Sequence, residues 1–280
     1  MRDFLARLLL NHSETALFLR RVPVFGAAAH RIGRRLVPPG TRVWAKVRDG
    51  LARGLWLRLD PRTGTHFWRG AGEIAVQQAL VEHLRPGMVF YDIGANIGFF
   101  SLLAARLVGP SGRVFAFEPE PALLPRLLEN IARNGFDHIT VVGKAVTATS
   151  GEIFFEPADS HSSPDFGLGR IREEATCTTV PVAGVALDDF VLQHPWPDVV
   201  KCDAEGAEVD ILRGATQLLR ARRTIFVIET HSATHERAVC ELLEQHGYTV
   251  TRLDELHVLA RSARFASVHS GGDALRAHER

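Results

Sequence analysis

The chain has 280 residues, 46% of them hydrophobic, and carries 33 Lys and Arg against 32 Asp and Glu. That size and apolar content suit one large α/β domain with an accessory segment, and the near-neutral balance excludes the basic footprint of a nucleic-acid binder. Three widely spaced cysteines, Cys177, Cys202 and Cys240, form no CxxC pair, which excludes a disulfide scaffold and a zinc site and points to a reduced, cytoplasmic protein.

Charge is uneven along the chain. Residues 1–50 hold ten Lys and Arg against three acids, leaving 23 against 29 in the remainder. Helical spacing over residues 3–22 and again over Ala27–Leu36 predicts basic N-terminal helices, stopped by "VPPG" at 37–40. Their charged face is expected to be solvated or to touch an anionic membrane surface, and an apolar face could pack on a second copy in a homodimer. The run "FLARLLL" is broken by Arg7 and is followed by no small-residue cleavage site, so neither a membrane span nor a signal peptide is expected. "TRVWAKVRDGLARGLWLRLDP" alternates around Asp49-Gly50 and predicts a β-hairpin. An amphipathic helix follows over Glu73–Leu84.

From Met88 the pattern becomes strand–helix alternation. Strands are predicted at Met88–Ile93, Arg113–Glu118, Ile139–Gly143, Asp198–Asp203 and Thr224–Thr230. Helices are predicted at Ile97–Val108, Pro121–Asn134, Gly206–Leu219 and Ala233–His246. Tyr248–Arg252 and Leu256–Ala260 read as a closing antiparallel pair. Repeated β-α-β units imply a parallel sheet covered on both faces. Between Gly151 and Ala183 the pattern predicts a hairpin that holds a long irregular loop around 156–170, of the kind that is usually functional or mobile. The expected division is residues 1–72 as a helical and hairpin segment, 73–262 as the main α/β domain and 263–280 as a polar tail.

The chemistry is read at the strand ends, where open parallel sheets bind ligands. In "VFYDIGANIGFF" Asp92 ends the first strand, and Gly94 and Gly98 bracket the turn into a helix. A dinucleotide site would need G-x-G-x-x-G; here Asn96 replaces the middle glycine and Asp92 would repel a pyrophosphate. Glu118 ends the second strand, where it can accept hydrogen bonds from ribose hydroxyls. A ribose with a cationic amino-acid end and no phosphate describes S-adenosylmethionine. The rival nicotinamide oxidoreductase is disfavoured by the same residues. A non-catalytic, ligand-binding partner subunit remains the other alternative.

The motifs "DIGANIGFFSL", "VFAFEPEP", "LLENIARNG", "VPVAGVALDDF", "VVKCDAEGAEVDILRGA" and "IFVIETH", in that order over Gly70–His231, resemble the FkbM-type methyltransferase family. The resemblance implies a class I methyltransferase (Rossmann-like) fold, a seven-stranded mostly parallel sheet whose last strand is antiparallel. It also implies S-adenosylmethionine and O-methylation of a small-molecule or glycan hydroxyl. Carried over, Asp92, Gly94, Ala95, Asn96 and Gly98 would line the methionine part and Glu118 the ribose, with Pro119, Ala145 and Asp203 completing the cofactor set. Glu73, in "RGAGE", resembles the family's Tyr-Glu position and is counted with the cofactor-binding residues, although Gly72 stands in place of the tyrosine.

Methyl transfer to an alcohol needs alignment and a proton acceptor, or a metal that stabilises the alkoxide. Asp203 and Glu205, in "KCDAEGAE", and Glu229 and His231, in "VIETH", end neighbouring strands and are the catalytic candidates. Asp203 is the first choice as base, and His231 a second. Asp203, Glu205 and Glu229 are also compatible with Mg²⁺, without requiring it. Glu205 has a structural alternative, capping the next helix or pairing with Lys201 or an arginine. His161, in the long loop, is the candidate substrate contact.

Overall fold

The computed structural model describes residues 40–61, 63–157, 169–172 and 174–265. The helices predicted before residue 40, His161 and most of the polar tail lie outside this set. Among the described residues no helix is long and apolar enough to cross a membrane.

The first elements are an antiparallel hairpin, β1 (Val43–Lys46) and β2 (Trp56–Leu59), in the register Val43 to Leu59 and Lys46 to Trp56. Its turn is wider than a two-residue connection and is closed by Val47 N–H to Leu55 O and Gly54 N–H to Val47 O. Helices α1 (Thr65–Arg69) and α2 (Ile74–His83) follow.

The main sheet is built from β3 (Val89–Ile93), β4 (Arg113–Phe117), β5 (Ile139–Val142), β10 (Val199–Cys202), β11 (Ile225–Glu229), β12 (Tyr248–Arg252) and β13 (His257–Ser262). Their order is β12-β13-β11-β10-β3-β4-β5. All neighbours are parallel except β13, which runs antiparallel between β11 and β12. That arrangement is the class I methyltransferase sheet. Side chains alternate between two cores, as a doubly covered sheet requires. Phe90, Val199 and Val227 face the core shared with α2, α3 (Phe99–Val108) and the hairpin. Tyr91, Val200, Phe226 and Ile228 face the other, shared with α8 (Ala233–Gln245).

The hairpin is joined to the domain by polar contacts as well. Helix α4 (Leu124–Asn134) presents Asn130 and Asn134 to the free edge of β2. Asn134 accepts from Trp56 N–H and donates to Trp56 O, each at 2.8 Å, while Asn130 accepts from Arg58 N–H at 2.8 Å. Four helical residues rise about 6 Å and two strand residues about 6.6 Å, so asparagines at i and i+4 match a strand at i and i+2.

A second sheet, β6-β9-β7-β8, is made of β6 (Ala145–Val146), β7 (Gly151–Glu156), β8 (Arg170–Arg172) and β9 (Val180–Val185). The long-loop hairpin is therefore real: β7 pairs antiparallel with β9, and β8 adds to its far side. A short helix, α5 (Leu187–Phe190), follows. The single helix predicted over Gly206–Leu219 is instead two, α6 (Glu208–Arg213) and α7 (Thr216–Ala221). The chain bends at Gly214 because the backbone of Thr147 lies against it; a Cβ there would sit 2.3 Å from Thr147 O.

Candidate active site

The carboxyl ends of β3, β4 and β10 open into a cleft walled on one side by the second sheet. Gly94, Glu118, Pro119, Ala145, Asp203 and Glu205 line it together, with Phe155 and Ile171 supplying apolar wall. Six of the sequence-predicted residues thus meet in one place.

Gly94 adopts φ +74°, and a Cβ on it would lie 1.8 Å from Asp203 O. The two strand-end loops touch backbone to backbone, which only glycine permits. Gly94 and Ala95 N–H both donate to Phe117 O, tying the turn to β4. Asn96, at φ 51°, directs its own N–H to Glu118 Oε2 at 2.8 Å. Glu118 Oε1 accepts from Glu120 N–H at 2.9 Å. Burial raises the Glu118 carboxyl to about 7 against these two hydrogen bonds. Gly98, at φ +89°, begins α3.

Asp92 does not line the cleft. It is fully buried, with Oδ2 accepting from Ser101 Oγ at 2.5 Å and Oδ1 3.9 Å from Lys201 Nζ. Lys201 interposes itself between two acids, lying 3.2 Å from Asp203 Oδ2, and also donates to Gly94 O at 3.4 Å. Burial alone would discharge Lys201; Asp203, Asp92 and Glu73 keep it firmly protonated. Reciprocally, burial pushes Asp203 upward, but Lys201 and a hydrogen bond with Glu229 hold it below the usual carboxylate range. Glu229 is raised, first by burial and then by the nearby Asp203 charge.

Asp203 and Glu205 do not share a strand face, because β10 ends at Cys202 and Glu205 turns to φ 53°. Glu205 reaches the cleft from the loop, with Arg170 at 3.9 Å as its ion partner. The residue that caps the turn into α6 is Glu208: fully buried, it accepts from Ala204 N–H at 2.8 Å and Gly206 N–H at 3.3 Å. His231 sits 3.6 Å from Glu208 and 3.9 Å from Glu229, and the Glu208 carboxylate raises it to about 9. Glu73 stands at the start of α2 in a left-handed conformation, φ 45°. Buried Gln77 holds that turn by donating to Gly70 O and Gly72 O at 3.0 and 2.5 Å. Glu73 faces His257 rather than the cleft floor.

Sequence reading missed Lys201 as the central cation, and with it Ser101, Glu208, Asp254 and His257. Lys201 was accessible: a lone lysine in an apolar strand, two residues before Asp203, shares its face.

Two observations from known proteins bear on this site. The family model described as the methyltransferase FkbM domain matches residues 92–250, more than half of the chain. The chain belongs to the FkbM methyltransferase family. It is an S-adenosylmethionine-dependent methyltransferase. Among its relatives is the hexuronic acid methyltransferase AglP of Haloferax volcanii, 28% identical over 79% of this chain and 94% of that one. The 31-O-demethyl-FK506 methyltransferase FkbM of Streptomyces tacrolimicus is 43% identical over 64% of this chain and 80% of its own. The 2-O-methyltransferase NoeI of Sinorhizobium fredii is 26% identical over 69% and 88%. The matched segment of this FkbM-family chain begins at Asp92 and takes in Glu118, Lys201, Asp203 and Glu229.

Proposed function

We propose that this FkbM-family enzyme transfers the methyl group of S-adenosylmethionine to a hydroxyl of a small molecule or glycan, with Asp203 as the proton acceptor. The observation that carries the reading is Asp203 itself: it lines the cleft and is kept ionised by buried Lys201. AglP is named for a hexuronic acid and NoeI for 2-O-methylation, which supports a sugar as substrate and a hydroxyl as acceptor.

In this reading the adenine lies toward Pro119 and Ala145, against Phe155 and Ile171. Glu118 accepts from the ribose through the lone pairs its two backbone donors leave open. The methionine end passes over the Gly94 turn, which its backbone contact with Asp203 holds in place. The acids around Lys201 favour the cationic sulfonium and amino group by their field. Asp92 acts one step back, holding Lys201, which in turn holds Asp203. His231 already carries a proton at neutral pH, so its part is to orient Glu208 and Glu229 rather than to act as base.

The step is an in-line displacement. The acceptor oxygen forms a bond to the methyl carbon as the carbon–sulfur bond breaks. The hydroxyl proton passes to Asp203, and S-adenosylhomocysteine leaves. Residues 73–262 are proposed as the catalytic unit. The three cysteines are free thiols, which supports a cytoplasmic setting. The membrane contact expected of the basic segment lies outside the described residues.

Calorimetric titration with S-adenosylmethionine and S-adenosylhomocysteine tests the cofactor site. Asp203→Asn tests the base: S-adenosylhomocysteine binding should persist while turnover on an accepted sugar falls by about 10²–10⁴-fold. Undiminished turnover would remove Asp203 from that role.

A further inference from the structure

One strand away from the cleft lies a second polar cluster that the proposed reaction leaves unused. It gathers Glu73 from the start of α2, Glu229 from the end of β11 and His257 from the start of β13. His257 is 4% exposed. Its Nδ1 lies 2.8 and 3.0 Å from the two oxygens of Asp254, which fixes Nδ1 as the N–H donor and turns Nε2 the other way. Nε2 then faces Glu73 Oε2 at 3.3 Å and Glu229 Oε2 at 3.7 Å. Neither Nε2 nor Glu73 Oε2 makes a hydrogen bond, although both atoms are buried. One donor atom from each of the three residues lies within 4.8 Å of the other two.

These separations suit a shared ion. Two ligands each about 2.1 Å from one metal stand roughly 3.0–3.6 Å apart at angles between 90° and 120°. The Asp254–His257 contact has the form seen behind metal-bound histidines, where a carboxylate fixes the ring and its tautomer. Glu73 is aimed inward by a strained backbone that Gln77 maintains. We infer that Glu73, Glu229 and His257 form a divalent metal site, with Asp254 orienting the histidine. One imidazole and two carboxylates suit Mn²⁺ or Zn²⁺ better than Mg²⁺ or Ca²⁺. A second group, Asp203, Glu208 and His231, also comes within 4.8 Å, but Glu208 is engaged by two backbone amides and His231 is exposed.

Three protein ligands leave coordination positions for an outside oxygen. Glu229 contacts Asp203, so an acceptor hydroxyl on the ion would be acidified beside the proposed base. That use rests on the O-methylation reading; the binding of the ion does not.

The test is calorimetric titration of the full chain, stripped with EDTA, with MnCl₂ and with ZnCl₂ near neutral pH. One site per chain is expected. Glu73→Gln and His257→Ala should weaken it at least 100-fold, and Asp254→Asn about 10–100-fold. His231→Gln, which touches the site only through Glu229, should weaken it less than tenfold; a loss of 100-fold or more there would move the ion to the other group and overturn the assignment. Absence of Mn²⁺ and Zn²⁺ binding by folded wild-type protein would overturn it too, and would leave His257 as an imidazolium among acids. Should the His257 variant fail to fold, the wild type still decides: Mn²⁺ must broaden the His257 ring proton signals, and sharp signals refute the site. S-adenosylhomocysteine, titrated in parallel, separates the two readings. Its binding without metal binding sinks only the metal site, and the converse sinks only the cofactor site.

Discussion

Lys201 shows how one residue sets the charge of its neighbours. Its ammonium lies within 4 Å of both Asp203 and Asp92, with side-chain exposure of 4% for the lysine and 1% for Asp92. Removing one partner from such a pair leaves uncompensated buried charge and costs about 3–5 kcal/mol. Lys201→Met should therefore lower the melting temperature by roughly 10 °C. Adding Asp92→Asn to it should recover part of that loss, measured by thermal denaturation. Glu118 sets the pH response of the cofactor site. Its carboxyl titrates near 7 and must be ionised to offer all its acceptors. Affinity for S-adenosylhomocysteine should weaken as pH falls below about 7, by up to about tenfold per unit for one proton. Glu118→Gln should bind weakly and without this slope, as read by titrations at several pH values. Asp92, Glu118 and Asp203 were legible as strand-end acids. What each one touches was mostly not, because Asn96 reaches Glu118 and Lys201 reaches Asp92 from other parts of the chain; only the Lys201–Asp203 contact is local.

At the scale of elements, the asparagine pair on α4 takes the place of a missing strand. Asn134→Ala removes two hydrogen bonds to the Trp56 backbone, and about 2 kcal/mol of stability should go with them. Urea denaturation should show a lower midpoint with an unchanged slope. Gly94→Ala should be worse. It combines a left-handed backbone with a 1.8 Å overlap on Asp203 O, and the loss should exceed about 3 kcal/mol, seen as a fall in melting temperature. Apolar runs and glycine turns made the sheet strands readable, together with α3 and α8. The break between α6 and α7 was hidden, since Gly214 is bent by the Thr147 backbone 67 positions earlier. The hairpin was readable from its alternation, but its anchorage on α4 was not, because asparagines on a helix usually signal only solvent.

For the whole molecule, a parallel sheet covered on both faces was legible in the alternation of strands and helices, and the closing antiparallel pair in the C-terminal strands; the seven-stranded arrangement rested on the family resemblance. The composition of the site could not be finished that way. Parallel strands present their C-terminal ends at the ligand rim, and a sequence search looks there. β13 runs the other way, so its first residue reaches that rim, and His257 enters from a direction the rule does not cover. The residues that meet it are Glu73, 184 positions before it, and Glu229. This geometry has a consequence for synthesis. A ribosome makes the chain from the amino end, and Glu73 and Glu229 are both made before their partner on β13 exists. A nascent chain halted ahead of Asp254 can pair β3, β4, β10 and β11, yet its acids face one another with no imidazole between them. The enzyme is therefore completed at its rim by the last strand among the described residues, and chains that end early are left with a repelling edge instead of a finished site.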